Sequence, residues 1–151
     1  CLSLSRTAEI ALPFTAERCA GADGDIVIGS STGGLARVEA SGSVRADAQG
    51  ILVSHLAYAE LYGRPVVLVP LAAEGVIGVF DARTLEEISA IEVQSEMSIA
   101  GLERPGAITV TDLPFSGMGF SNGLAAIHDG EDGRIKLVTR DVLGRAVTAP
   151  E

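Results

Sequence analysis

Pro105–Asp141, PGAITVTDLPFSGMGFSNGLAAIHDGEDGRIKLVTRD, decides how the rest of the chain is read. Its apolar residues predict three short strands, Ala107–Thr111, Leu124–His128 and Arg134–Arg140, separated by Pro- and Gly-rich connections. The last two strands are joined by the acidic turn DGEDG. Asp-Gly at the corner of two alternating runs is hairpin chemistry, because Gly130 and Gly133 can take the positive φ that a tight turn between twisted strands demands. The same turn concentrates oxygen ligands: Asp129, Glu131 and Asp132, with Asp112 in the preceding connection. A hard cation such as Ca²⁺ is held by about six to eight oxygens, so these residues are the candidate metal ligands. Carboxylates alternating with Gly are also ordinary turn chemistry, and the full EF-hand spacing is absent.

Working outward, composition favours short, closely packed strands. Of 151 residues, 47% are hydrophobic but only 4% are aromatic, and 18 are Gly. That length suits one domain with a real core. The net charge of −9 argues against nucleic acid, since phosphate backbones are gripped by Lys and Arg clusters that this chain lacks. No run approaches the roughly 20 apolar residues that span a bilayer. The longest, Val66–Ala73, is broken by Pro70 and reads as a buried strand.

In chain order, Ala8–Phe14 alternates as a lone strand and a polar loop runs on to Gly24. Further strands are expected over Asp25–Ser30, Leu35–Ala40, Pro65–Leu71, Val76–Ala82 and Leu85–Val93. Ile51–Tyr62 and Leu85–Val93 are the segments that compete for helix, and both are assigned as strands because turn signals recur on either side of them. A loose repeat links GDIVIGSSTGGLARVEASGSV, RPVVLVPLAAEGVIGVFDARTLEEI and the opening stretch. Each has an apolar strand, a small-residue turn and further strands. Meandering units spaced about 35–45 residues apart mark propeller blades. The expected fold is therefore all-β, a propeller-like array of about three antiparallel blades forming one domain over 1–151. A β-sandwich of about ten strands is the alternative.

Ile108–Leu143 resembles the end of the β-propeller phytases, six-bladed calcium-dependent phosphatases acting on inositol hexakisphosphate. There an apolar strand ends in an Asp-Gly-Glu turn and a lysine-bearing strand closes the fold. Asp25–Gly42 and Arg64–Ile88 resemble the opening blades, so the likeness covers about two thirds of the chain. It implies a 3-phytase-like phosphomonoesterase acting on a phosphorylated small molecule of the inositol phosphate class, with Ca²⁺ as cofactor. It also implies a place outside the cytoplasm. The departures are specific. Ser30-Ser31-Thr32-Gly33 has no Lys where the family's phosphate-binding turn carries one. Val53–Tyr58 is not Asn-rich and acidic, and Ala72-Ala73-Glu74-Gly75 replaces an Asn-Arg turn. The middle blades, which supply most of the family's calcium ligands, have no counterpart, and of those ligands only Asp129 carries over. Since three blades do not close a ring, a homodimer completing a propeller is one expected partner arrangement.

Other motifs point nowhere sharper. His55 and His128 lack zinc spacing, and His128 and Asp129, as strand neighbours, point to opposite faces. GSSTGG is no P-loop and GMGF is no dinucleotide fingerprint. No Ser or Cys sits in a nucleophile elbow. Arg134, Lys136 and Arg140 alternate, as a phosphate-facing stripe or as a solvated edge that discourages strand pairing. Cys1 is placed where a bacterial lipoprotein bears its lipid, with 1–7 as a tether, or else marks only where the numbering starts. Cys19 is expected to be a free, buried thiol. Two function classes follow: a calcium-dependent phosphomonoesterase, fragmentary or degenerate, and a non-catalytic extracytoplasmic module for binding or assembly.

Overall fold

The computed structural model describes residues 9–95, 101–116 and 119–148. The tether and Cys1, parts of the 94–106 linker and the first half of GMGF lie outside the described residues. Among the described residues, eleven strands form three antiparallel sheets and one helix follows them, in agreement with the all-β expectation. Sheet one orders β1 (Arg18–Ala22), β2 (Asp25–Ser30), β3 (Gly34–Val38) and β4 (Val44–Ala48) as a meander. Sheet two repeats the meander with β5 (Ala57–Leu61), β6 (Arg64–Leu71), β7 (Val76–Asp81) and β8 (Glu87–Ile91). Sheet three has three strands, β9 (Pro105–Thr111), β10 (Leu124–Asp129) and β11 (Arg134–Thr139), and the chain ends its described part in α1 (Arg140–Thr148). Each sequence repeat thus lands on one blade-like sheet.

Sheet two is the middle layer. Val67 and Val69 face sheet one in a shared core with Ala22, Val27, Leu35, Val53, Phe80 and Leu85. Their neighbours Val66 and Leu68 face the other way, joining Ile77, Val79, Ala125, Ile127, Val138 and Leu143 of sheet three and α1. A continuous run of Val and Leu is what a strand with both faces inside requires. Each such side chain contributes about 1.5–3 kcal/mol when fully buried.

Several expectations change. The lone strand over 8–14 is not formed by residues 9–14. Ile10 and Phe14 instead lie on the outer face of sheet one against Ile28, Ala36 and Val38. The Phe14 ring occupies the space over Gly33, its Cγ 2.5 Å from where a Cβ would stand. Within Ile51–Tyr62 only β5 is a strand, because 51–56 crosses from sheet one to sheet two and plugs Val53 into the core against Gly29. β1 lies in the stretch expected as loop, and β4 over residues 44–48, where the sequence pattern assigns no element. Residues 140–148 are helical, so Arg140 caps no strand. Of the two turn glycines, Gly133 takes positive φ (70°) and Gly130 does not. Cys19 is free but exposed, because β1 is an edge strand. Among the described residues no helix is long and apolar enough to cross a membrane.

Candidate functional site

The β10–β11 hairpin forms as expected, with Asp129 opposite Arg134 at its turn. His128 and Asp129 point to opposite faces, and the buried one is Asp129, with 1% of its side chain exposed. A carboxylate placed there needs partners, since an unpaired buried charge costs several kcal/mol. It has four. Oδ1 accepts from the backbone N–H of Arg104 and of Glu131, both at 3.0 Å. Oδ2 accepts from Glu103 N–H at 3.2 Å and from Lys136 Nζ at 2.7 Å. Burial alone would raise this carboxyl's pKa. The Lys136 ammonium and the three N–H groups outweigh it and hold the group well below the ordinary carboxylate range.

Lys136 also meets Asp132 Oδ2 at 3.2 Å and donates to the Gly101 carbonyl. Its hydrogen bond to Asp129, followed by that to Asp132, raises its pKa despite partial desolvation. Asp132 Oδ1 accepts from Arg134 N–H at 3.0 Å. The predicted trio is therefore divided. Asp129 and Asp132 share one ammonium, and the exposed Glu131 contributes its backbone N–H. Asp112 is elsewhere. It follows Thr111, which pairs with Leu124 at the far end of β10, about 17 Å from the turn at strand rise. Among the described residues, no three His, Cys, Asp or Glu side chains gather as a cation cage would require.

The expected cationic stripe is also broken up. Lys136 lies opposite Ile127 and turns inward, Arg134 is exposed, and Arg140 starts α1 with its guanidinium on the Glu60 carbonyl. Lys136 as the partner of Asp129 was not read from sequence. Its signal was the hairpin register, which puts positions 127, 129, 134 and 136 on one face.

Each sheet has such a pair. In sheet one, Arg37 Nε meets Asp25 Oδ2 at 2.7 Å and the same guanidinium donates to the Ala82 carbonyl of the neighbouring sheet at 2.7 Å. In sheet two, Asp81 accepts from Arg83 N–H at 2.8 Å and meets Arg64 at 3.2 Å. Burial opposes ionisation of Asp81, and the N–H groups of Arg83 and Thr84 with Arg64 overcome it, so its pKa is lowered. These acidic residues cap turns and tie strands.

His55 is half-buried, and its Nδ1 is enclosed without a hydrogen-bond partner. Burial, then the charges of Arg18 and His128, lower its pKa and favour the neutral ring. A cleft of about 420 Å³ runs between the β5–β6 turn and the start of α1, past Tyr62, Asn122, Arg140 and Asp141. Its polar groups satisfy one another, Asn122 donating to both Asp141 oxygens at 3.1 Å.

No family model and no curated protein matches the chain. Among solved structures it is similar to one described as the computationally designed Ika4 protein. Identity is 16% and the TM-score 0.47, over 80% of this chain and 63% of that one.

Proposed function

We propose that this chain is a non-catalytic β-module whose role is docking. The observation that carries this reading is the state of Asp129, whose two oxygens accept from Lys136 and three backbone N–H groups. A calcium site at this turn would have to displace Lys136 and rebuild the hairpin. In-line phosphoryl chemistry would further need cations around the substrate, and the turn Ser30–Gly33 has none. The resemblance to the β-propeller phytases supports the rival reading, a calcium-dependent phosphomonoesterase. The two separate in one assay: phosphate release from inositol hexakisphosphate by the folded chain, with calcium and with chelator. The docking reading expects no release above the blank in either condition. Calcium-dependent release overturns it.

A further inference from the structure

Asn122 is the only asparagine in the chain, and the residue after it is Gly123. The pair stands in the turn that leads into β10, and the fold dictates its second member. Gly123 is buried at φ 96°, and a Cβ there would lie 2.1 Å from the Thr111 carbonyl oxygen. Only glycine meets both demands. A glycine in that place carries a chemical liability. It puts no side chain between its own backbone nitrogen and the Asn122 carboxamide, so that nitrogen can close a five-membered ring on Cγ. Asn122 itself is exposed to water, the other reactant.

Against this liability stands the start of α1. Asn122 Nδ2 donates to both Asp141 oxygens at 3.1 Å. Only the NH2 end of an amide donates, so the carboxylate fixes how the group is turned, and bonds to an ionised acceptor are the stronger kind. Gly123 N–H donates to the Phe120 carbonyl at 3.1 Å, and the Gly123 carbonyl accepts from Arg140 N–H at 3.2 Å. The Arg140 guanidinium reaches the Asn122 carbonyl at 3.4 Å. The turn and the first two residues of α1 thus hold both partners of the ring closure. We propose that Asn122 is a deamidation site kept closed by α1, so that the helix start controls a one-way modification of the chain. The inference goes beyond the docking reading and does not depend on it. The reaction needs only water. The Gly123 nitrogen gives its proton to solvent and bonds to Cγ; the Cγ–Nδ2 bond breaks, and Nδ2 takes up a proton and leaves as ammonia. Water then opens the succinimide at either carbonyl, leaving aspartate or isoaspartate at position 122. Neither product has a donor for Asp141, and a carboxylate then faces a carboxylate. A passing local opening of α1 is thereby made permanent.

Peptide mapping of the full chain tests this, after incubation at neutral pH in buffer and in urea that unfolds it. Mapping separates position 122 from Gln49 and from the Asp-Gly pairs at 23, 129 and 132. Native wild type is expected to convert at least tenfold more slowly than the unfolded chain, because modification follows the population of the opened state. Asp141→Ala converts faster than wild type in native buffer. Glu74→Ala, which removes a carboxylate from the exposed β6–β7 turn, converts at the wild-type rate. In Asn122→Asp, which has the product's side chain, the amides of 143–147 exchange with solvent at least tenfold faster than in wild type. Thermal melts confirm that the variants fold; if Asp141→Ala does not, Asp141→Asn, which keeps the shape and loses the charge, carries the same test. Equal conversion in native and unfolded wild type overturns the inference. So does a folded Asp141 variant that converts no faster than wild type, and one that converts more slowly would make the carboxylate a promoter of the reaction. Unchanged exchange of α1 in Asn122→Asp overturns the coupling to the helix.

Discussion

Lys136 and Asp129 form an ion pair across the β10–β11 hairpin at 2.7 Å, with 14% and 1% of their side chains exposed. Removing the Asp129 carboxylate takes the acceptor from the N–H groups of Glu103, Arg104 and Glu131, while Lys136 keeps Asp132 and the Gly101 carbonyl. Asp129→Ala should therefore lower stability by about 1–3 kcal/mol, equally with calcium and with chelator, in urea melts. A loss seen only when calcium is present would make the carboxylate a metal ligand after all.

The titrating groups set a pH window. His55 is held neutral by burial and by Arg18, so its folded pKa lies below 6.5. Its contribution is complete above 6.5 and fades as pH falls through the folded value. Asp129 and Asp81 have folded pKa values below 3.8, so their contribution is complete above 3.8 and is lost on further acidification. Lys136, raised above 10.5, contributes fully below that pH and is lost as pH rises through its folded value. Melting temperature should be flat between about pH 7 and 10 and fall in two steps on the acid side. His55→Gln should remove the first step, and its persistence in that variant would exclude His55 as the cause.

Leu68 and Leu137 are both leucines of sheet strands with opposite prospects. Leu68 is fully buried between sheets two and three, so Leu68→Ala should cost about 2–5 kcal/mol. Leu137→Ala, at a side chain turned to solvent, should stay within about 0.5 kcal/mol. Chemical denaturation of the two variants side by side checks the contrast.

Gly144, inside α1, lies under the ring of Tyr62. Gly→Ala in a helix interior normally gains about 1 kcal/mol. Here a Cβ would collide with the ring, so Gly144→Ala should destabilise. Tyr62 itself sits at φ 48° in the two-residue turn with Gly63, where Asn is preferred. Tyr62→Asn should therefore rescue Gly144→Ala, and additive effects in the double-mutant cycle would rule out the steric explanation.

What sequence made legible follows how strongly each segment's pattern expresses its burial. β2, β6 and β7 are interior, and their Val and Ile runs announced them. β1 (RCAGA) and β4 (VRADA) are edge strands with mostly solvated side chains, so their identity comes from pairing with β2 and β3 rather than from their own residues. Val142, Val147 and Thr148 favour strand by propensity, yet Leu143, Ala146 and Val147 place an apolar side of α1 against the core, and packing overrides propensity. At the acidic turn, charge density was visible but its neutralisation was not. The lysine that answers Asp129 is seven residues away, and only the register brings them together.

Sheet two has no face of its own in water, and that decides how the chain comes apart. Its two neighbours pack on its opposite faces, so coupling between the ends of the stack runs through β6 and β7. As in other stacked arrays, stability is then a property of adjacent interfaces. An outer sheet can open while the middle pair stays closed, but loss of the middle pair releases both ends at once. Amide protons of Val66–Val69 should accordingly be the last to exchange with solvent.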